Sequence, residues 1–138
     1  MKIYLAHSLG SREHIAQTIQ PIMTPYCDVI NPFEHEMTQL ESLSDEQIRK
    51  KIISPNFTIH QDEYRLKHCD AMVAYFTKGP SFGASFELAF AHYQLQIPIL
   101  IIVQERYLQH PWLRSFATLL CGFETFEATF HQFLEVFK

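Results

Sequence analysis

The chain is poor in residues that bend, bridge or repel. It holds 4 glycines, 3 cysteines and 1 tryptophan in 138 residues, and only 19% of its residues are charged. The cysteines (Cys27, Cys69, Cys121) are odd in number and far apart, which argues against a disulfide framework and fits reduced thiols in a cytoplasm. No CxxC occurs, His35-Glu36 lacks the HExxH frame, and His7 and His14 fall on different elements. The 8 histidines therefore read as scattered rather than as a metal site, and no cofactor is expected. A G-x-S-x-G elbow is missing, which removes the usual serine hydrolase arrangement. The longest apolar run, Ile97 to Val103, falls far short of the ~20 residues of a membrane helix. Met1-Lys2 leads straight into strand-like residues without a secretory pattern, so a cytoplasmic protein is expected. A net charge of -4, from 11 basic and 15 acidic residues, speaks against a partner that is a nucleic-acid polymer.

What remains is apolar and aromatic. Hydrophobic residues make up 47% of the chain and 12 are phenylalanines, enough for one dense core in a single domain over 1–138. Lys2 to Ala6 reads as a strand, and a helix follows from Arg12 on the spacing of Ile15, Ala16, Ile19, Ile22 and Met23, with Ser11 as its N-cap. Cys27 to Ile30 reads as a second strand, so the beginning has the βαβ form of a parallel sheet. Ser44-Asp45-Glu46-Gln47 has capping-box spacing and predicts a helix to about Ile53. Further helices are expected from about Ile59 to His68 and from Phe82 or Gly83 to about Leu95, the second apolar almost all round and so expected to be largely buried. Ala71 to Phe76 and Ile97 to Val103 read as buried strands. Phe123, Phe126, Phe130, Phe133 and Phe137 mark a tail helix whose stripe either joins two copies or covers the sheet. The sum is an α/β, doubly wound parallel sheet of four to five strands with flanking helices, whose ligands gather at the carboxyl ends of the strands.

Two of those ends carry chemistry. After the first strand, Ser8-Leu9-Gly10-Ser11-Arg12 offers small residues, backbone N–H groups and a guanidinium, the parts of an anion site. It also reads as an ordinary tight turn. After the third strand, Gly79 to Phe86 leads to Glu87 in a helix that is otherwise apolar, where the sequence places it in the first turn. A carboxylate there suits a nucleophile, or else merely complements the helix dipole. Asp62 could supply the second carboxylate that glycosyl transfer needs, whereas Asp70 reads as a turn residue. His110-Pro111-Trp112 opens a helix after the fourth strand, and its Trp is eligible for core packing or for stacking on a base.

Lys2-Ile3-Tyr4-Leu5-Ala6, Ser8 with Gly10-Ser11-Arg12-Glu13, Ile59-His60-Gln61-Asp62, Cys69 to Ala74, Pro80-Ser81-Phe82-Gly83 with Glu87-Leu88, and Ile97-Pro98-Ile99 stand in a recognisable order. In these segments, spread over 2–103, the chain resembles the nucleoside 2-deoxyribosyltransferase superfamily, and within it the 2'-deoxynucleoside 5'-phosphate N-hydrolases. The resemblance implies a flavodoxin-like sheet and cleavage of a base–sugar bond through a covalent sugar ester. It makes Glu87 the nucleophile, Asp62 the carboxylate that assists the departing base and Tyr4 a neighbour of the sugar. It also makes Ser8, Gly10, Arg12, Ser81 and Gly83 substrate-binding residues, the phosphate lying against Ser8, Gly10, Arg12 and Ser81. Ser81 stands where the transferases carry an aspartate, and His7 where the family usually has glycine. The implied partners are a small nucleoside or nucleotide and further copies of the chain, as a homodimer or higher homo-oligomer. Base exchange between nucleosides is the related alternative, and a non-catalytic nucleotide sensor the alternative of another class.

Overall fold

A computed structural model describes residues 1–34, 55–76 and 81–138, with the side chains of 55–58 excluded; the helix expected from the 44–47 capping box lies outside them. Five parallel strands form one sheet in the order β2-β1-β3-β4-β5: β1 (Lys2–Ala6), β2 (Asp28–Ile30), β3 (Ala71–Phe76), β4 (Ile99–Val103) and β5 (Leu119–Cys121). Every pairing is parallel, with Ile3 opposite Ala71, Met72 opposite Ile99 and Leu100 opposite Leu119. The order reverses at β1, which puts the switch point between β1 and β3. Asp70 fastens that seam: its carboxylate accepts from Lys2 N–H at 2.7 Å, and its own N–H donates to Lys2 O at 2.8 Å.

Alternation along the strands builds two cores. Ile3 and Leu5, Ala71, Val73 and Tyr75, and Leu100 and Ile102 face one side, where α1 and α5 cover them. Here α1 is a continuous helical run made of Arg12–His14, a π turn at Ile15–Ile19, and Gln20–Met23. The last helix, α5, is Phe126–Leu134. Tyr4, Ala6, Met72, Ala74, Ile99, Ile101 and Val103 face the other side, under α2 (Pro55–Lys67), α3 (Phe82–Phe90, extended by a π turn at Ala91–Leu95) and α4 (Pro111–Phe116).

Three expectations change. Ser11 holds the N-cap position of α1 but makes no side-chain cap bond; it is buried at the end of a 3-10 turn at Leu9–Ser11, its hydroxyl 3.0 Å from that of Ser8. The tail stripe does not project outward, because Phe126, Phe130 and Phe133 sit at 1%, 0% and 0% exposure against the sheet. An amphipathic helix beside an open sheet face buries its stripe there first, so these rings are spent within one chain. The apolar surface lies on α3 instead. Ala84, Leu88 and Ala91 take the sheet-facing positions, leaving Phe82, Phe86 and Tyr93 at 82%, 72% and 57% exposure. Among the described residues no helix is long and apolar enough to cross a membrane.

Candidate active site

Tyr4, Asp62 and Glu87 come from three separate elements and meet beside the switch point. Tyr4 is the middle residue of β1, whose alternation turns it under α2 and α3. Asp62 lies on α2 and Glu87 on α3, and both line one cavity of about 330 Å³ together with Gly83, Ile59, Leu66 and Phe86. Tyr4 Oη, Asp62 Oδ1 and Glu87 Oε2 are shut off from solvent. A cavity of this size with apolar walls and a few converging polar groups has the make-up of a small-molecule site.

The electrostatics tie the three together. The Tyr4 phenol titrates far above its usual range, first because it is buried, then because the Glu87 and Asp62 carboxylates oppose a phenolate, and because its proton is directed at Glu87. The contact with Glu87 is looser than a fully formed hydrogen bond. Tyr4 is therefore a permanent donor, able to orient a carboxylate but not to act as a base. Arg65 stands one helical turn from Asp62, its Nη1 3.5 Å from Asp62 Oδ1 with both side chains 18% exposed, and it reaches toward the Pro32 carbonyl at 3.5 Å. It lowers the cost of two neighbouring carboxylates. Sequence reasoning passed over Arg65, although the Asp–Arg pair at i, i+3 on a helix was a usable signal.

Glu87 does not occupy the first turn of α3, which has no acidic residue in it. It sits in the second turn, where the dipole's influence has largely faded. Its placement comes instead from helical geometry: four residues after Gly83 it shares that residue's face, and a side chain on Gly83 would reach to 4.0 Å from Glu87 Oε1. Ser81 caps the helix, accepting from Ala84 N–H at 3.3 Å. Its own hydroxyl proton remains available to donate.

The first-strand loop forms a separate neighbourhood. Ser8 precedes the 3-10 turn, Gly10 is exposed with open space around it, and Arg12 opens α1. Arg12 lines a wide cleft of about 830 Å³ with Glu13, Gln20, Asn31, Phe33 and Glu34. Thus Gly83 joins the carboxylate cavity, while Ser8, Gly10 and Arg12 belong to the loop and Ser81 to the start of α3. Trp112 is 62% exposed and lines an apolar cavity of about 390 Å³ with Phe116 and Tyr107, between α3 and α4. No described group of three or more His, Cys, Asp or Glu is placed to hold a metal ion. The thiols of Cys27, Cys69 and Cys121 are free, and burial pushes each up to about 11, which makes them poor nucleophiles.

No protein-family model matches the chain, and no curated protein is significantly similar to it. Solved structures do match. A 2-deoxyribosyltransferase from Bacillus psychrosaccharolyticus superposes with a TM-score of 0.63 at 19% identity, over 87% of this chain and 85% of the other. The CMP N-glycosidase BcmB of Clostridium botulinum gives 0.60 at 15% identity, over 100% of both chains. A 2-deoxyribosyltransferase from Leishmania mexicana gives 0.50 at 18% identity, over 75% of this chain and 65% of the other. The chain therefore has the flavodoxin-like fold that these enzymes share.

Proposed function

We propose that the protein is an N-glycosidase acting on a (deoxy)nucleoside 5'-monophosphate. The observation that supports this most is the meeting of Asp62 and Glu87, from two helices, on one cavity, with the buried Tyr4 phenol of β1 directed at Glu87. In this reading a Glu87 carboxylate oxygen attacks the anomeric carbon while the bond from that carbon to the base nitrogen breaks, its electron pair leaving with the base. Tyr4 orients the attacking carboxylate. Asp62 hands a proton to the departing base and is left as a carboxylate beside Arg65. Water then attacks the same carbon and gives up a proton to Asp62 while the ester bond to Glu87 breaks, its electron pair returning to the carboxylate, so that the free sugar phosphate leaves and both groups are restored.

The reading is tested by offering a panel of nucleosides and nucleotides and detecting free base by chromatography. Release of base by water alone supports hydrolysis. Release only with a second base present means base exchange, and binding without release means a sensor.

The 5'-phosphate is assigned to the β1 loop and Ser81. A phosphate bears close to two charges at pH 7, and an aspartate at position 81 would oppose it in a partly desolvated pocket. A serine does not. The expected kcat/KM favours the monophosphate over its nucleoside by roughly 10²-fold, and Arg12→Ala removes about 1.5–3 kcal/mol of that preference, the worth of a charge-assisted hydrogen bond. Equal rates on both substrates would take the phosphate out of the reading.

Self-association is assigned to the aromatic face of α3, where Phe82, Phe86 and Tyr93 stand exposed and Phe86 borders the cavity. Light scattering at micromolar concentration is expected to give at least a dimer. Phe82→Ser combined with Tyr93→Ser is expected to shift it toward the monomer.

A further inference from the structure

His7 ends the first strand's run into the loop, is 3% exposed, and has oxygen at both ring nitrogens. Nδ1 lies 2.9 Å from the Ser8 carbonyl oxygen, and Nε2 lies 3.0 Å from Asn31 Oδ1. A neutral imidazole has one N–H and can serve only one of these acceptors. Turning the Asn31 amide over offers no way out. Its Oδ1 also accepts from Phe33 N–H at 3.1 Å, and its Nδ2 donates to Gln20 Oε1 at 3.0 Å. Gln20 is oriented in turn, because its Nε2 donates to Glu34 Oε2 at 3.3 Å. A carboxylate that can only accept thus sets the direction of both amides, and the series ends with an acceptor presented to His7.

The Ser8 carbonyl is the other fixed point. It also accepts from Ser11 N–H at 3.0 Å, closing the turn that contains Gly10 and leads to Arg12. The Phe33 ring, 4.9 Å from the imidazole and tilted by 56°, covers it. Ser8, Asn31 and Phe33 carry no charge. Among the described residues the charged groups of this neighbourhood are Arg12 and Glu13 at the start of α1 and Glu34 beyond Gln20. Burial lowers the ring's affinity for a second proton, against the two contacts, which raise it.

The ring is therefore left short of one proton in a loop built to receive two donors. We propose that His7 makes this loop selective for a dianionic group: the imidazole takes up a second proton from solvent as the anion binds, donates to both Ser8 and Asn31, and releases the proton when the anion leaves. The proposal rests on the reading of the β1 loop as the phosphate site and names how that site responds to charge. The sign follows from linkage. An anion that raises the ring's proton affinity binds more tightly at low pH, and the gain is lost as pH rises through the value of the bound state.

The test follows the ring nitrogens of His7 and the backbone amides of Ser11 and Phe33 by nuclear magnetic resonance, with and without saturating inorganic phosphate. In the free protein both amides are expected to shift with the same midpoint as the ring, below the ordinary histidine range. Phosphate is expected to raise that midpoint by about one unit. Phosphate affinity in the wild type, divided by that in His7→Gln, should then fall several-fold, and at most about tenfold, between pH 5 and pH 8; the ratio cancels the ionisation of phosphate itself. Amides that ignore the ring's titration overturn the proposal without touching the phosphate reading. So does phosphate that binds with the midpoint unmoved. Failure of phosphate to bind either protein, with the amides still following the ring, removes the phosphate site and with it the selectivity assigned to His7.

Discussion

Glu87→Gln is expected to abolish turnover while leaving the fold intact. The amide is nearly isosteric with the carboxylate and keeps one oxygen to accept from Tyr4, so the packing of α3 against the sheet through Ala84, Leu88 and Ala91 is undisturbed. What is lost is the attacking electron pair of an anion. Without the covalent route, the rate of base release should fall roughly a thousandfold or more, equivalent to about 4 kcal/mol of transition-state stabilisation. The loss should appear in kcat, since groups that only bind the substrate remain. A variant that keeps a third of the wild-type rate would show that Glu87 does not form the ester.

The second large effect concerns stability. Phe130 is fully buried beneath the sheet face that α5 covers, with its ring 5.6 Å from Phe126 and 6.4 Å from Tyr26. Phe130→Ala leaves a void beside Phe126 and Tyr26, within the core cluster, that close-packed neighbours fill only in part. The cost is about 3–5 kcal/mol, a large share of the ~5–15 kcal/mol that holds a domain together. Thermal unfolding should show a fall in Tm of about 10–20 °C. Phe137→Ala, at the half-buried end of the same stripe, should cost much less. Equal effects at the two positions would mean that the stripe is not graded by burial in solution.

The contrast between these two phenylalanines is close to what the sequence could and could not tell. The strands Ala71–Phe76 and Ile99–Val103 were legible because they are apolar at nearly every position, as strands covered on both faces must be. The Phe spacing marked α5 clearly. Whether its stripe met the sheet or another molecule depended on a face exposed by strands far away in the chain. For α3 the same limit worked in reverse: apolar residues all round the helix suggested burial, but Ala84, Leu88 and Ala91 alone reach full burial against the sheet. The larger rings were left outside. β5, at Leu119–Cys121, is too short for alternation to register.

The candidate site was legible as two carboxylates and a loop. Tyr4 was named through a resemblance, since nothing local distinguishes it from a core residue, and Asp62 was a weak candidate without one, since a solvated helix aspartate reads the same way. The series from His7 through Asn31 and Gln20 to Glu34 was not legible at all. It joins β1, the end of β2, α1 and the segment after β2, and its meaning lies in which atom donates to which.

The strand order also has a consequence for synthesis. β1 is made first, yet one of its two edges is satisfied only by β3, with Ile3 waiting for Ala71 and Ala6 for Ala74. A ribosome adding about 5–20 residues each second leaves that edge open for roughly 3–14 s. During that interval the β3-facing edge of Ile3, Tyr4 and Leu5 presents unpaired amides, while α1, β2 and α2 are made before β3 arrives. Once β3 has emerged, the Lys2–Asp70 clasp can form and close the seam around which the two carboxylates are later assembled.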